Sequence, residues 1–258
     1  MRVLQDADTS PLQVDGDGCV TFNDTFRYLG SLTDSGTTDK VDVGNRISKA
    51  ARAFGALSEA VFKSRSINQK LKGRTYTALV LPILLYGSEA WRLKKAEEDR
   101  LMRFHRGCVR TMCGVTKRTV WKKRITAKEL EDQLGVLSLQ SYYAVRTARA
   151  VGHIARMDME RLPRKLLSSW LPVTRRRGSP EMTFGRTVRW RLFDRAVKHP
   201  DVERVPETAR ALKKAFHKDW GRNGEGWLEL ALDRERWQTV CLLMQHERPL
   251  STSASPST

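Results

Sequence analysis

An uncharged run at residues 78–86, ALVLPILLY, constrains this chain more than any other feature. The run is too short to cross a bilayer, which needs about 20 apolar residues. The segments on both sides are amphipathic and basic, so we expect the run to be the most buried helical segment of the domain. Pro82 lies inside the run and cannot donate a backbone hydrogen bond to Ala78, which predicts a kink or a helix break there.

The net charge of the 258-residue chain is +18, and the excess of Lys and Arg lies in residues 37–200. An excess of this size predicts a polyanionic partner, with nucleic acid first and a membrane surface second. Four scattered cysteines do not make a disulfide framework, and the first ten residues lack the apolar core of a signal peptide. We therefore expect an intracellular, nuclear protein that binds nucleic acid, with no membrane association and no small-molecule ligand.

The residue pattern predicts a mainly α fold, in which a short N-terminal β-hairpin precedes a helical bundle and further basic helices. Alternating residues and turn signals place the hairpin in residues 1–36. Helical periodicity begins at about residue 39 and defines a bundle over residues 37–114. A basic helical region follows at 115–248 with a loop at 172–181, and residues 249–258 have the composition of a disordered tail.

Two predicted helices, at 39–58 and 96–113, carry an apolar stripe on one side and basic residues on the other. A basic side on one helix is often simply a solvated surface. The same arrangement on two helices favours contact with nucleic-acid phosphates. Further basic residues lie in the first turns of the helix predicted at 68–91 and in the loop predicted at 172–181. The predicted phosphate contacts are Arg46, Lys49, Arg52, Lys70, Lys72, Arg74, Arg103, Arg106, Arg110, Arg175, Arg176 and Arg177.

The sequence gives little sign of catalysis or metal binding. It contains no glycine-rich phosphate loop, no nucleophile elbow and no adjacent acidic pair in a strand–turn context. His105 and Cys108 fall on the apolar stripe of their helix, so core packing is a better interpretation than metal ligation. Four tryptophans have basic neighbours and are candidates for base stacking, although partial burial is the commoner role: Trp121, Trp190, Trp220 and Trp237.

Several motifs together resemble those of non-LTR, LINE-type retrotransposon reverse transcriptases. The segments FRYLGS (26–31), NRI (45–47) and AFGAL (53–57) are similar to the family's segments at the end of the polymerase palm and in the helix that follows. The segment LPILLYGSEAW (81–91) is similar to a later motif of the same family. The resemblance extends over roughly residues 12–240, and its first two motifs are the more specific.

The resemblance implies a place within a larger enzyme. Residues 1–36 would be the end of the palm, 37–114 a thumb-like domain and 115–248 the region after the polymerase core. Phe26, Tyr28, Leu29 and Gly30 would form a primer-grip-like hairpin. The family's aromatic-x-Asp-Asp turn is absent from this sequence, so we expect no polymerase activity from the chain by itself. No cofactor is expected in this fragment, because Mg²⁺ is implied only for the full polymerase.

On this interpretation the chain is a nucleic-acid-binding fragment that grips a template–primer duplex. A non-enzymatic protein-interaction module derived from a retrotransposon is the alternative, with the arginine faces packing against acidic partners. A third possibility is that the chain is not stable alone, since a hairpin cut from its palm has no sheet to join.

Overall fold

Two short β-hairpins form the N-terminal part of the structure. In this computed structural model, strand β1 (Leu12–Val14) pairs antiparallel with β2 (Gly18–Val20). Strand β3 (Thr25–Tyr28) pairs in the same way with β4 (Ser31–Asp34). The two pairs form separate two-stranded sheets. The predicted N-terminal hairpin is therefore confirmed, and it is accompanied by a second, shorter hairpin.

Helices make up most of the remaining structure, which confirms the mainly α prediction. The structure describes residues 12–14, 18–20, 23–34, 39–91, 93–168 and 230–245. The predicted loop at 172–181, with Arg175, Arg176 and Arg177, and the predicted tail at 249–258 lie outside these residues. The helices are α1 (Lys40–Ala56), α2 (Gln69–Thr75), α3 (Leu81–Leu84), α4 (Lys95–Met112), α5 (Lys117–Lys123), α6 (Ala127–Leu134), α7 (Leu139–Ala155), α8 (Leu162–Ser168) and α9 (Arg234–Gln245).

Polar side chains fix where several of these helices begin, as their sequence predicts. Thr126 Oγ1 accepts a hydrogen bond from Glu129 N at 3.2 Å and donates one to Glu129 Oε1 at 3.0 Å, which forms a variant of the capping box at the start of α6. Ser138 Oγ accepts from Ser141 N at 3.2 Å at the start of α7. Gly135 has a φ of 66° and ends α6 in the left-handed conformation that glycine tolerates.

The uncharged run forms an interrupted helix that is buried on one side. A π-helical segment (Tyr76–Val80) follows α2 and leads directly into α3, where Pro82 occupies the first turn. This change of helix type confirms the predicted interruption. Val80, Leu81, Leu84 and Leu85 are buried, but Leu79 and Tyr86 are about half exposed. The run therefore contributes one side to the core, as expected, while its other side reaches the surface.

A single apolar cluster joins helices from both sides of the boundary predicted at residue 114. It extends from Val43 in α1 through the π-helical segment and α4 to Leu130 in α6 and Tyr143 in α7. Gly73 in α2 lies against the carbonyl of Leu134, so α2 and α6 approach at backbone distance. The division into domains at 114 stays a prediction, and the packing places α4 and α6 against the same core.

The last described helix, α9, packs on α7. Trp237 is buried there, and its Nε1 donates a hydrogen bond to Ala148 O at 2.8 Å. Its indole lies over Gly152, where a methyl group would overlap the ring. Trp237 is thus a core anchor and not a stacking surface, whereas Trp190 and Trp220 lie outside the described residues. None of the described helices has the length and apolar character that a membrane span requires.

Candidate nucleic-acid interface

The residues predicted to resemble a primer grip form the exposed tip of the β3–β4 hairpin. Phe26, Tyr28 and Leu29 are more than half exposed, and the first two rings lie side by side with centroids 6.5 Å apart. Leu29 has a φ of 45° and Gly30 a φ of 87°, so both turn residues have the positive φ of a type I′ turn. Glycine adopts this conformation freely, but a leucine in it is strained.

Two side chains hold the backbone of this turn against the helices. Arg46 in α1 donates from Nη2 to Gly30 O at 2.6 Å and to Ser31 Oγ at 3.1 Å. Its guanidinium lies 4.3 Å from the centroid of the Tyr86 ring, within the range of a cation–π interaction. The Tyr86 hydroxyl donates to Leu29 O at 2.9 Å. The bonds to Gly30 O and Leu29 O hold the turn by its backbone, while the Leu29 side chain is exposed to solvent.

Asp42 completes this arrangement from inside the protein. Its carboxylate accepts hydrogen bonds from Leu32 N at 3.1 Å and from Trp91 Nε1 at 2.9 Å. It also lies 3.4 Å from Arg46 Nε in a buried ion pair. We refer to Asp42, Arg46 and Tyr86 as the hairpin clamp. The clamp brings together three of the segments that carry the resemblance. Residues 26–31 supply the turn, 45–47 supply Arg46, and 81–91 supply Tyr86 and Trp91.

The clamp corrects one predicted phosphate contact. Arg46 is 4% exposed, because the hairpin covers that side of α1. Lys72, another predicted phosphate contact, is 6% exposed, and its Nζ lies 3.5 Å from Met112 O at the end of α4. A cation there complements the unpaired carbonyls of the helix C-terminus. Both side chains are buried and stabilise contacts within the protein, so the structure speaks against the phosphate contacts predicted for Arg46 and Lys72.

The other predicted basic residues within the described chain reach the surface. Arg52, Lys70, Arg74, Arg103 and Arg106 are exposed, and Lys49 and Arg110 are partly exposed. Helix α4 separates its two sides most clearly, since Leu101, His105, Cys108 and Met112 on the opposite side are buried. These side chains are available to a polyanion, and their contact with phosphates stays a prediction.

The buried side of α4 carries polar groups that pair inside the protein. His105 Nδ1 lies 3.0 Å from the Tyr76 hydroxyl, and His105 Nε2 lies 3.3 Å from Glu131 Oε1. Burial raises the pKa of Tyr76 well above its ordinary value. Burial also raises the pKa of the Cys108 thiol to about 12, so this thiol stays protonated at neutral pH. Among the described residues, no group of three His, Cys, Asp or Glu side chains could hold a metal ion.

The predicted contact set omits the basic helix α5. Its residues 117–123, KRTVWKK, include none that is buried, and the Trp121 side chain is 84% exposed. Val120 and, just beyond the helix, Ile125 are the apolar residues that pack it against the core. Because α5 has seven residues and one inward-facing apolar residue, hydrophobic periodicity cannot identify it in the sequence. The signal available in the sequence is the tryptophan among five basic neighbours.

Comparison with known proteins provides one informative similarity. No protein family and no solved structure matches the chain. Over 149 residues the chain is 25% identical to an uncharacterized transposon-derived protein of Caenorhabditis elegans. The aligned part covers 58% of this chain and 52% of that relative, so the chain spans about half the length of the protein that it matches. The similarity supports an origin of this chain in a transposable element.

Proposed function

We propose that this chain is the nucleic-acid-binding thumb and C-terminal part of a LINE-type reverse transcriptase, and that it grips a template–primer duplex. The motifs at residues 26–31, 45–47 and 81–91 support the family, and the similarity to a transposon-derived protein agrees with an element of this kind. The alternative of a protein-interaction module shares the same origin but assigns acidic proteins to the basic faces.

The observation that carries the proposal is the division of α4 into a buried apolar side and an exposed basic side. Arg103 and Arg106 extend from a helix whose opposite side is fixed in the core. A rigid helix with guanidinium groups at its surface can contact successive phosphates without reading the base sequence. Each neutralised phosphate releases counterions, so the affinity must fall as salt rises.

The exposed tip of the β3–β4 hairpin would contribute a second element of the grip. Its backbone is held by the hairpin clamp, while Phe26, Tyr28 and Leu29 extend away from the helices. In the complete enzyme this tip would lie beside the primer end. Polymerisation by this chain alone is not proposed, because the aspartates of the family's metal site have no counterpart in the sequence.

Binding of the purified full chain to a blunt RNA–DNA duplex, followed by fluorescence anisotropy across a salt series, tests the proposal. We expect binding at low salt and a linear fall of log affinity with log salt, with a slope of about −0.9 for each phosphate contacted. Absence of binding at low salt, or an affinity that is independent of salt, would contradict the proposal.

Two double variants test whether the exposed side of α4 forms the interface. Each replaces two basic residues by glutamate, so both change the net charge by the same amount. Arg103→Glu/Arg106→Glu reverses the exposed side of α4. Lys63→Glu/Lys165→Glu reverses two exposed lysines that pair with Glu59 and Glu160 elsewhere on the surface. The first variant should lose most of the duplex affinity and the second should retain most of it. An equal loss in both would mean that net charge alone, and not α4, determines binding.

A further inference from the structure

Helix α5 presents an indole to solvent on a surface that is otherwise basic. Trp121 is 84% exposed, although tryptophan is usually among the more buried residues of a protein. Lys117 and Arg118 are four and three positions before Trp121 and therefore lie on its side of the helix. Arg124 follows directly after the helix and is exposed. Lys122 and Lys123 are exposed beside them. The result is a flat aromatic surface bordered by positive charge.

The charges of this surface are not used inside the described part of the protein. No hydrogen bond or ion pair joins the side chains of these five basic residues to another described residue. A polyanion complements a surface of this charge.

The backbone at the end of α5 gives a second, independent observation. Arg124 caps the helix with a φ of 52°, donating its N–H to Trp121 O at 3.3 Å. The equivalent positions after α4 and α6 are Gly114 and Gly135, with φ values of 68° and 66°. Only glycine adopts this conformation without strain. Arg124 is therefore strained, and its side chain is exposed at the end of the helix that carries Trp121.

We propose that α5 binds single-stranded nucleic acid, with an unpaired base stacked on Trp121 and the neighbouring phosphates held by Lys117, Arg118 and Arg124. The base must be unpaired, because the faces of bases within a duplex are already stacked on each other. This inference rests on the proposed function and extends it from the duplex to the single strand beside it. Stacking on an aromatic ring tolerates any base, so the site has little sequence preference.

Affinities of the full chain for four fluorescent probes test the inference: a dT oligonucleotide, a U oligonucleotide, a blunt RNA–DNA duplex and the same duplex with a single-stranded extension. Trp121→Ala should weaken binding of the single strands and of the extended duplex by about 5- to 150-fold per stacked base. It should leave the blunt duplex unchanged. Comparison of the dT and U probes shows whether the strand is DNA or RNA.

Further variants separate stacking from a structural role. Trp121→Phe retains an aromatic ring and should recover most of the single-strand affinity. Leu71→Ala removes another exposed apolar side chain, on α2, and should change no affinity. Arg124→Gly relieves the strained φ, so it should leave the melting temperature equal or higher. It should make the single-strand salt slope shallower by about 0.7, the value for one lost phosphate contact.

The outcomes distinguish this inference from the proposed function. If the blunt duplex binds but single-strand affinity is unaffected by Trp121→Ala, the inference fails and the proposed function stands. A fall in melting temperature with unchanged affinity would show that the indole packs within the protein, which also overturns it. If no probe binds the wild-type chain at low salt, both proposals fail.

Discussion

Arg46 and Arg106 occupy helices with the same sequence pattern, yet the structure uses them in opposite ways. Each lies on the basic side of an amphipathic helix, α1 and α4 respectively. Arg46 is covered by the β3–β4 hairpin and pairs with Asp42, whereas Arg106 is exposed. The difference shows that the side of a helix on which a charge lies does not determine its role. A charged side chain covered by another element makes contacts within the protein, whereas an uncovered one is exposed and can bind a partner.

The largest effect should follow the loss of the buried arginine. Arg46→Ala removes the partner of a buried carboxylate and the donor to Gly30 O, and it should destabilise the fold by about 3–5 kcal/mol. Urea unfolding followed by circular dichroism measures this loss. Arg52→Ala removes an exposed arginine from the same helix and should change stability by less than about 0.5 kcal/mol.

A double-mutant cycle sharpens this result. Asp42→Ala/Arg46→Ala leaves neither charge buried alone, so its loss of stability should be smaller than the sum of the two single losses. If Arg46→Ala were no more destabilising than Arg52→Ala, the hairpin would not be held as the clamp implies. Burial of Arg46 would then contribute nothing to stability beyond what an exposed arginine contributes.

The next largest effect concerns two helical glycines, one in the core and one near the basic surface. Gly73→Ala places a methyl group against the Leu134 carbonyl, so α2 and α6 must separate at a cost of about 1–3 kcal/mol. Gly107→Ala on α4 meets only the flexible guanidinium of Arg110 at 3.9 Å and should stabilise by up to about 1 kcal/mol. Thermal unfolding of both variants checks the opposite signs, and destabilisation by both would contradict the assignment of α4's outer side to solvent.

The buried side of α4 should also respond to pH. Burial raises the pKa of Cys108 from 9.0 to about 12 in the folded protein. Below pH 9 the thiol is protonated in both states and its contribution is fully present. Between pH 9 and 12 the unfolded state loses the proton first, so stability falls by about 1.4 kcal/mol per pH unit.

Comparison with Cys108→Ala isolates this titration, because the other groups that ionise at high pH are common to both proteins. Urea unfolding at pH 8, 9 and 10 should give a steeper decline for the wild-type chain than for the variant. Parallel declines would show that Cys108 is in contact with water, on a side of α4 that the structure places in the core.

The sequence predicts helices better than it predicts their exposure. Periodicity predicts the ends of α1 and α4 to within two residues of those observed. The caps at Thr126 and Ser138 are also predicted, because a cap contacts residues only a few positions along the chain. The burial of Arg46 depends instead on a hairpin more than ten residues away. The exposure of Trp121 depends in the same way on which described elements pack against α5, and none of them covers the indole. Both depend on tertiary contacts, which local sequence patterns do not predict.

The smallest effect on stability should come from the exposed arginine, and it completes the comparison with Arg46. Arg106→Ala removes no described contact from the core, so the free energy of unfolding should change by less than about 0.5 kcal/mol. If Arg106 contacts one phosphate, the salt slope for an RNA–DNA duplex should become shallower by about 1, and affinity should fall equally for duplexes of different sequence. Anisotropy titrations with two unrelated duplexes measure both quantities. An unchanged slope would remove Arg106 from the interface, and a loss confined to one duplex would mean that it reads a base and not the backbone.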